Sequence, residues 1–387
     1  MENRAQFFDI CIVCALYEEA EAVLNEFTRR CNVSFTSAFS STDRYEYRHT
    51  IIQNNRGEHL TVLVTWLADN GPVRTGLHLK PLLQEFHPRF AAMTGICAGY
   101  KDKDVRLGDL VVAEYAYHYE MGKDTIGKDG QKKHEPQTTT YGVTPQVLQY
   151  AKSFQDWRKP VARLKRPKIK QEKITGPEPL KEKPPTCHIA PMASGMAVKE
   201  DEPFLWLREY INRKTLALDM EAATFYLTLQ EVSSLGIHSL VVKGVSDYAD
   251  GSKNDEYHTY TERASAIYLL YFIQEYVTST TMPRRSPPSS SIRDGPSKVW
   301  NVPYSRNPHF TGREELLNQL YQRLTPAGQN DPAKIGRVAL TQTQAVKGLG
   351  GIGKTQIAVE FAYRSRDLGH YTHILWVNAA TEETIIV

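Results

Sequence analysis

The chain has 387 residues, more than one hydrophobic core usually fills, so two domains are expected. Hydrophobic residues make up 41% and charged residues 24%, ordinary values for a globular protein, and the formal net charge of +3 points to no particular partner. No apolar run is long enough to span a bilayer and Met1–Asp9 has no signal-peptide pattern, so an intracellular, cytoplasmic protein without a membrane partner is expected.

The first predicted element is a strand over Asp9–Leu16, a continuous apolar run of the kind covered on both faces. It contains Cys11 and Cys14, but positions three apart on a strand face opposite ways, so reduced, buried thiols fit better than a metal clamp. A helix follows, with Ala20, Val23, Leu24 and Phe27 on one face. Tyr45–Ile52 and His59–Trp66 read as a hairpin around Asn54–Gly57. Leu79, Leu82, Leu83 and Phe86 mark a second helix, which Pro88 ends. Strand patterns recur at Phe90–Gly95, Asp109–Tyr117, His188–Ser194, Leu216–Asp219 and Ser239–Val245, and helices fit Pro203–Arg213, Glu221–Ser233 and Tyr260–Thr278. This alternation argues for a three-layer α/β/α domain with a mixed central sheet over residues 1–279.

Two stretches break the pattern. Residues 158–186, centred on the Lys-, Arg- and Pro-rich Arg158–Lys183, read as a mobile surface insertion; no aromatics interleave its charges, so a solvated loop fits better than a nucleic-acid surface. Residues 280–299 have the Pro-, Ser- and Arg-rich composition of a linker.

Residues 300–387 then give a strand over Arg337–Ala345, the loop Gly348-Leu-Gly-Gly-Ile-Gly-Lys-Thr355, a helix over Gln356–Arg366 and a strand over His373–Asn378. In this strand–loop–helix setting the loop is a P-loop. Backbone N–H groups around Gly348, Gly350, Gly351 and Gly353 would cradle phosphates, Lys354 would reach the β/γ oxygens, and Thr355 would hold Mg²⁺, so ATP or ADP with Mg²⁺ is the expected cofactor of this part. Such a loop normally opens a longer domain, so residues 300–387 are expected to be the N-terminal portion of one, without nucleotide hydrolysis of their own.

Three acids stand where strands give way to loops or helices: Glu19, Glu221 and Asp247. Singly, Glu19 and Glu221 also fit first-turn helix acids, and Asp247 a turn or cap. Jointly they sit in five ordered strings: Ile12-Val-Cys-Ala-Leu-Tyr-Glu-Glu19, Thr94-Gly-Ile-Cys-Ala-Gly99, Gly108-Asp-Leu-Val-Val112, Leu218-Asp-Met-Glu-Ala-Ala223 and Gly244-Val-Ser-Asp-Tyr-Ala-Asp250. From about Phe8 to Thr278 these resemble the purine nucleoside phosphorylase and nucleosidase superfamily, particularly methylthioadenosine/adenosylhomocysteine nucleosidases.

The resemblance implies a nucleoside phosphorylase-like fold and cleavage of a purine–ribose bond without a cofactor. It implies that Asp247, held by Ser246, protonates the departing base, which calls for a buried carboxyl group of raised pKa. It implies that Glu221 takes the ribose hydroxyls over Met220, and that Glu19 orients and deprotonates water. Gly95, Cys97 and Ser194 would complete the substrate contacts. Two departures stand out: Thr94–Gly99 is one residue longer than the nucleosidase string, and Ala193-Ser-Gly-Met-Ala-Val lacks an aromatic that would stack on the base. Ala15-Leu-Tyr-Glu-Glu19 replaces the phosphate-binding loop of the phosphorylases, which favours hydrolysis; phosphorolysis and a catalytically silent nucleoside-sensing scaffold are the alternatives. The expected substrate is a purine nucleoside or adenine nucleotide, with Arg44, Arg74 or Lys199 as candidates for a 5′ phosphate. A homo-oligomer is implied as well. Trp300–Arg313 resembles the lead-in of NB-ARC-type NTPases, with Arg306 to Arg313 near the nucleotide, and the whole resembles a fungal NLR-like protein.

Overall fold

The apolar run near the start of the chain forms β1 (Ile10–Cys14), every residue of it buried. The strand stops two residues before the predicted end because Tyr17 already opens α1 (Tyr17–Cys31), which turns Ala20, Val23 and Phe27 inward. An edge strand β2 (Thr36–Phe39) precedes the predicted hairpin, β3 (Glu46–Gln53) and β4 (His59–Trp66). Asn54 builds its turn: Oδ1 accepts the N–H groups of Arg56 and Glu58 at 3.0 and 2.9 Å, while Nδ2 donates to the Val277 carbonyl at 3.0 Å. Next come α2 (Pro72–Phe86), whose Leu79, Leu82, Leu83 and Phe86 are buried as their spacing requires, and β5 (Phe90–Gly99).

Beyond β6 (Leu110–His118) lie a small hairpin of β7 (Gly122–Ile126) and β8 (Lys132–Pro136), then β9 (Thr140–Gly142), α3 (Pro145–Ser153) and α4 (Arg158–Ala162). The remainder of the unit is β10 (Cys187–Ser194), α5 (Phe204–Tyr210), β11 (Ala217–Asp219), α6 (Ala222–Glu231), β12 (His238–Asp247) and α7 (His258–Tyr276). The computed structural model describes residues 7–41, 43–69, 71–126, 132–167, 177, 185–196, 203–250, 255–283, 299–302, 306, 310, 312, 314–324, 354–367 and 373–375.

One mixed sheet organises these elements, in the order β11-β10-β6-β12-β5-β1-β4-β3-β2, with β9 on β6. β11 also pairs antiparallel with β5, so β5, β12, β6, β10 and β11 close into a ring without free edges. β1, β4, β5 and β12 run parallel, which brings their carboxyl ends to one side of the sheet. An α/β fold with a mixed central sheet is therefore present. α7 lies on β5 and β12 and against α1, with Ile267, Leu269, Leu270, Phe272 and Ile273 fully buried. Each such side chain contributes about 1.5–3 kcal/mol.

Two expectations need correction. Residues 158–164 are part of the packed body: α4 buries Pro160 and Val161, and Trp157 just before it is 1% exposed against Tyr268. Its Lys/Arg content hid this, since the anchoring residues are only Trp157, Pro160, Val161 and Leu164. Residues 168–176 and 178–184 of the insertion lie outside the described residues. The packing also continues past residue 279, because Met282 is fully buried in the same core.

The chain divides into two compact units, Met1–Ser289 and Ser290–Val387. In the second, β13 (Val299–Asn301) pairs parallel with β14 (His373–Leu375). α8 (Glu314–Leu324) and α9 (Lys354–Asp367) share a small core of Leu317, Leu320 and Ile357. Gly348, Gly350, Gly351 and Gly353, and the strand expected over Arg337–Ala345, lie outside the described residues. Lys354 and Thr355 open α9, and Thr355 is exposed. Arg306 is bound to Glu360 at 2.8 Å and Asp367 at 3.0 Å on α9. No helix among the described residues is long and apolar enough to cross a membrane.

Candidate active site

The carboxyl ends of β1, β11 and β12 carry the acids singled out by sequence. Glu19 occupies the third position of α1 and is 2% exposed. Its Oε2 accepts the N–H groups of Ala15 at 2.8 Å and Leu16 at 3.1 Å, and Oε1 accepts that of Ile96 on β5 at 2.9 Å. The structural role open to it, capping its own helix, is thus one it performs. Three of about four carboxylate lone-pair directions are used, and one remains for a ligand.

Gly95 is what allows this approach. A Cβ there would stand 1.9 Å from Glu19 Oε1, and φ of 147° is in any case poorly accessible to other residues. Its place in the site is to admit the carboxylate.

Directly across the ladder from Gly95 is Lys243, 1% exposed. Its ammonium lies 3.6 Å from Asp219 Oδ2 and 3.7 Å from Glu221 Oε2. Burial pushes the lysine pKa down, and Glu19, Asp219 and Glu221 more than reverse this, so the ammonium is held charged. Sequence reasoning missed Lys243 and Asp219 as members of the site. The available signal was a single Lys inside Leu240-Val-Val-Lys-Gly-Val245, since a charge on a wholly buried strand needs partners.

Glu221 is the N-cap of α6 and is 5% exposed; its Oε1 accepts the Gly71 N–H at 3.0 Å. Burial raises its pKa, Lys243 opposes the rise, and Asp219 and Glu19 add to it, leaving it at about 7. Met220 is half-buried beside Gly71.

On β12, Ser246 Oγ donates to Asp247 Oδ2 at 3.0 Å, and the Ala249 N–H donates to Oδ1 at 2.9 Å. Asp247 is half-buried; the chain by itself does not supply the full burial expected of it. Cys97 pairs with Val245, next to Ser246, and its carbonyl lies 3.4 Å from Ser246 Oγ. Burial lifts its thiol well above the ordinary range, Lys243 opposes the rise, and Asp219, Asp247 and Glu19 add to it. At about 3.3 Å per residue, Lys243 and Asp247 stand roughly 10–13 Å apart along β12, so one ligand would reach from the lysine cluster to the aspartate.

Ser194 does not face this space. It is fully buried behind Asp219, its Oγ donating to Asp219 Oδ1 at 2.6 Å and accepting the Ala223 N–H at 3.0 Å. Asp219 Oδ2 in turn accepts the Ala222 N–H at 3.0 Å. The serine's one donor and one of its acceptor sites go to fixing the start of α6, and its complete burial corrects the expectation of a substrate contact. Arg44 and Arg74 are exposed, and Lys199 lies outside the described residues. Among the described residues no group of three or more His, Cys, Asp or Glu is placed to hold a metal ion.

Residues 9–275 match the family described as the phosphorylase superfamily. An NLR-like protein of Hyaloscypha variabilis is 26% identical over 75% of this chain and 30% of its own length. The Escherichia coli protein named ATP nucleosidase Cap17 is 26% identical over 58% of this chain and 43% of its own. The chain thus spans well under two thirds of these curated relatives. Among solved structures, a mutant of Helicobacter pylori MTAN with 5′-methylthioadenosine in its active site superposes with a TM-score of 0.50, at 18% identity over 69% of this chain and 98% of that one.

Proposed function

The chain belongs to the phosphorylase superfamily, and from that premise we propose that its first unit hydrolyses the N-glycosidic bond of a purine nucleoside or adenine nucleotide. Three buried carboxylates gathered about one buried ammonium, with a serine-steadied aspartate further along the same strand, carry this reading. In it, Glu221 accepts the ribose hydroxyls, with Met220 beneath the sugar. Asp247 protonates the base as the C–N bond breaks, a bound purine completing the aspartate's desolvation. Glu19 uses its remaining lone pair to orient the attacking water and takes its proton, while Lys243 balances the charge that collects below the sugar.

The same cluster favours water over phosphate as the nucleophile. Glu19, Asp219 and Glu221 outnumber Lys243, so the attack side is net acidic and repels a phosphate dianion. Purified protein is therefore expected to release free base in phosphate-free buffer, at a rate that added phosphate leaves unchanged. Strict dependence on phosphate, read by chromatography of the products, overturns hydrolysis in favour of phosphorolysis. Saturable nucleoside binding without turnover points to a silent sensing module.

Adenine as the departing base is supported by the names of the relatives, which include a death domain-containing ATP nucleosidase of Amphimedon queenslandica, 23% identical over 50% of this chain. The further parts of the proposal are that this unit is the effector of an NLR-like, homo-oligomeric cytoplasmic protein. Its second unit, with Lys354 and Thr355 at the start of α9, is proposed to bind ATP or ADP with Mg²⁺.

A further inference from the structure

A groove of about 780 Å³ runs between α1 and the first half of α7, outside the cluster just described. At one end its charge is closed. Glu26, 1% exposed, is held by Arg29 at 2.6 Å, Arg30 at 2.8 Å and Arg263 at 2.7 Å. Although burial raises it, the three arginines bring its pKa below the ordinary value. At the other end, Glu18, Glu21 and Glu262 have no cation within ion-pair distance among the described residues. Asp255 there faces His258 at 3.4 Å.

Glu262 is the telling residue. It is 7% exposed, lines the groove, and its carboxyl group makes no hydrogen bond among the described residues. Its side chain is covered on almost every side while its oxygens open onto the groove, so a cation entering there would be its first charged partner. The acids do not converge on a point as metal ligands must, and they are strung along a groove that also offers the apolar surface of Leu16 and Ala22.

We propose that this groove is a binding site for a small, extended organic cation, an aliphatic di- or polyamine, whose ammonium groups meet Glu262 and the Glu18–Glu21 pair while its methylenes lie on Leu16 and Ala22. The volume lies within the range of small-molecule sites. Glu18 and Glu21 sit one helical turn apart and present a second anchoring point. The chain as a whole is cationic, at +3, so general attraction of a polyamine to the protein is not expected.

Spermidine titrated into the intact chain by calorimetry at low salt tests this. Saturable one-to-one binding is expected, weakened about 10-fold or more by Glu262→Gln and likewise by the double change Glu18→Gln with Glu21→Gln, as for loss of a charge-assisted hydrogen bond. The double variant alters exposed positions and so remains informative should Glu262→Gln misfold. Absence of saturable binding, or binding equal in wild type and in both variants, overturns the proposal.

A thermal readout accompanies it. Burial first, and then Glu19, Glu18 and Glu21, raise the Glu262 pKa from 4.5 to about 7. The folded state therefore holds this proton more tightly than the unfolded chain, and ionisation weakens the fold as pH rises from about 4.5 to about 7. Glu262→Gln is expected to melt above wild type at pH 8 without spermidine, with the gap narrowed by spermidine and absent at pH 4. A gap that does not respond to spermidine counts against the site.

Discussion

Replacing Asp247 by Asn is expected to slow base release by about 10²–10⁴-fold, with the melting temperature unchanged. The substitution preserves shape, and the new side-chain oxygen can still accept the Ala249 N–H that Oδ1 accepts in the parent. What disappears is a proton donor for the departing base. The loss should fall on kcat rather than KM, because the interaction removed belongs to the transition state. Base release at the parental rate by a folded Asp247→Asn protein excludes this aspartate as the acid.

Lys243→Met is expected to destabilise the first unit by about 3–5 kcal/mol at pH 8, the cost typical of breaking a buried ion pair by removing one partner. Methionine replaces the aliphatic stem, so packing is largely conserved and the effect isolates the charge. Without the ammonium, Asp219 and Glu221 stay buried as unpaired carboxylates. Their remedy is protonation, and Glu221 is already raised to about 7 in the parent. The destabilisation should therefore shrink as pH falls from 8 toward 5 and grow as pH rises through 7. Urea denaturation at several pH values measures it. A penalty near zero, or one independent of pH, shows the cluster to be solvated rather than buried. Hydrolytic activity is expected to fall as well, since Glu221 would no longer present an ionised oxygen to the sugar.

The layers of the fold were legible because they depend on periodicity. Ile10–Cys14 and Leu240–Val242 are apolar on both faces, and Leu79, Leu82, Leu83 and Phe86 mark one helical face. What sequence did not disclose was closure. The pairing of β11 with β5 involves only Ala217 with Gly99 and Leu218 with Ala98, a long-range match that no local pattern encodes. The short strands β2 and β9 and the helix α3 were missed for a related reason: their residues are half exposed and their pattern is weak.

At the site, residue types in order pointed to Glu19, Glu221, Ser246 and Asp247, whose catalytic roles are the proposal made above. They could not show which atoms were already engaged. Ser194 looked available and is consumed by Asp219 and the start of α6. Gly95, singled out as a substrate contact, also provides the space into which Glu19 fits, which no sequence pattern announced. Lys243 was passed over because a lysine in a strand reads as an edge or surface residue until its three acidic neighbours are placed around it.

Hydrolysis at a site built from these acids is tested most directly by following the oxygen. Turnover of an adenine nucleoside or nucleotide in heavy-oxygen water, with phosphate present, should yield free adenine and a sugar carrying one solvent oxygen at its anomeric carbon. A sugar product that carries phosphate there, or intact substrate after long incubation with properly folded protein, contradicts the account.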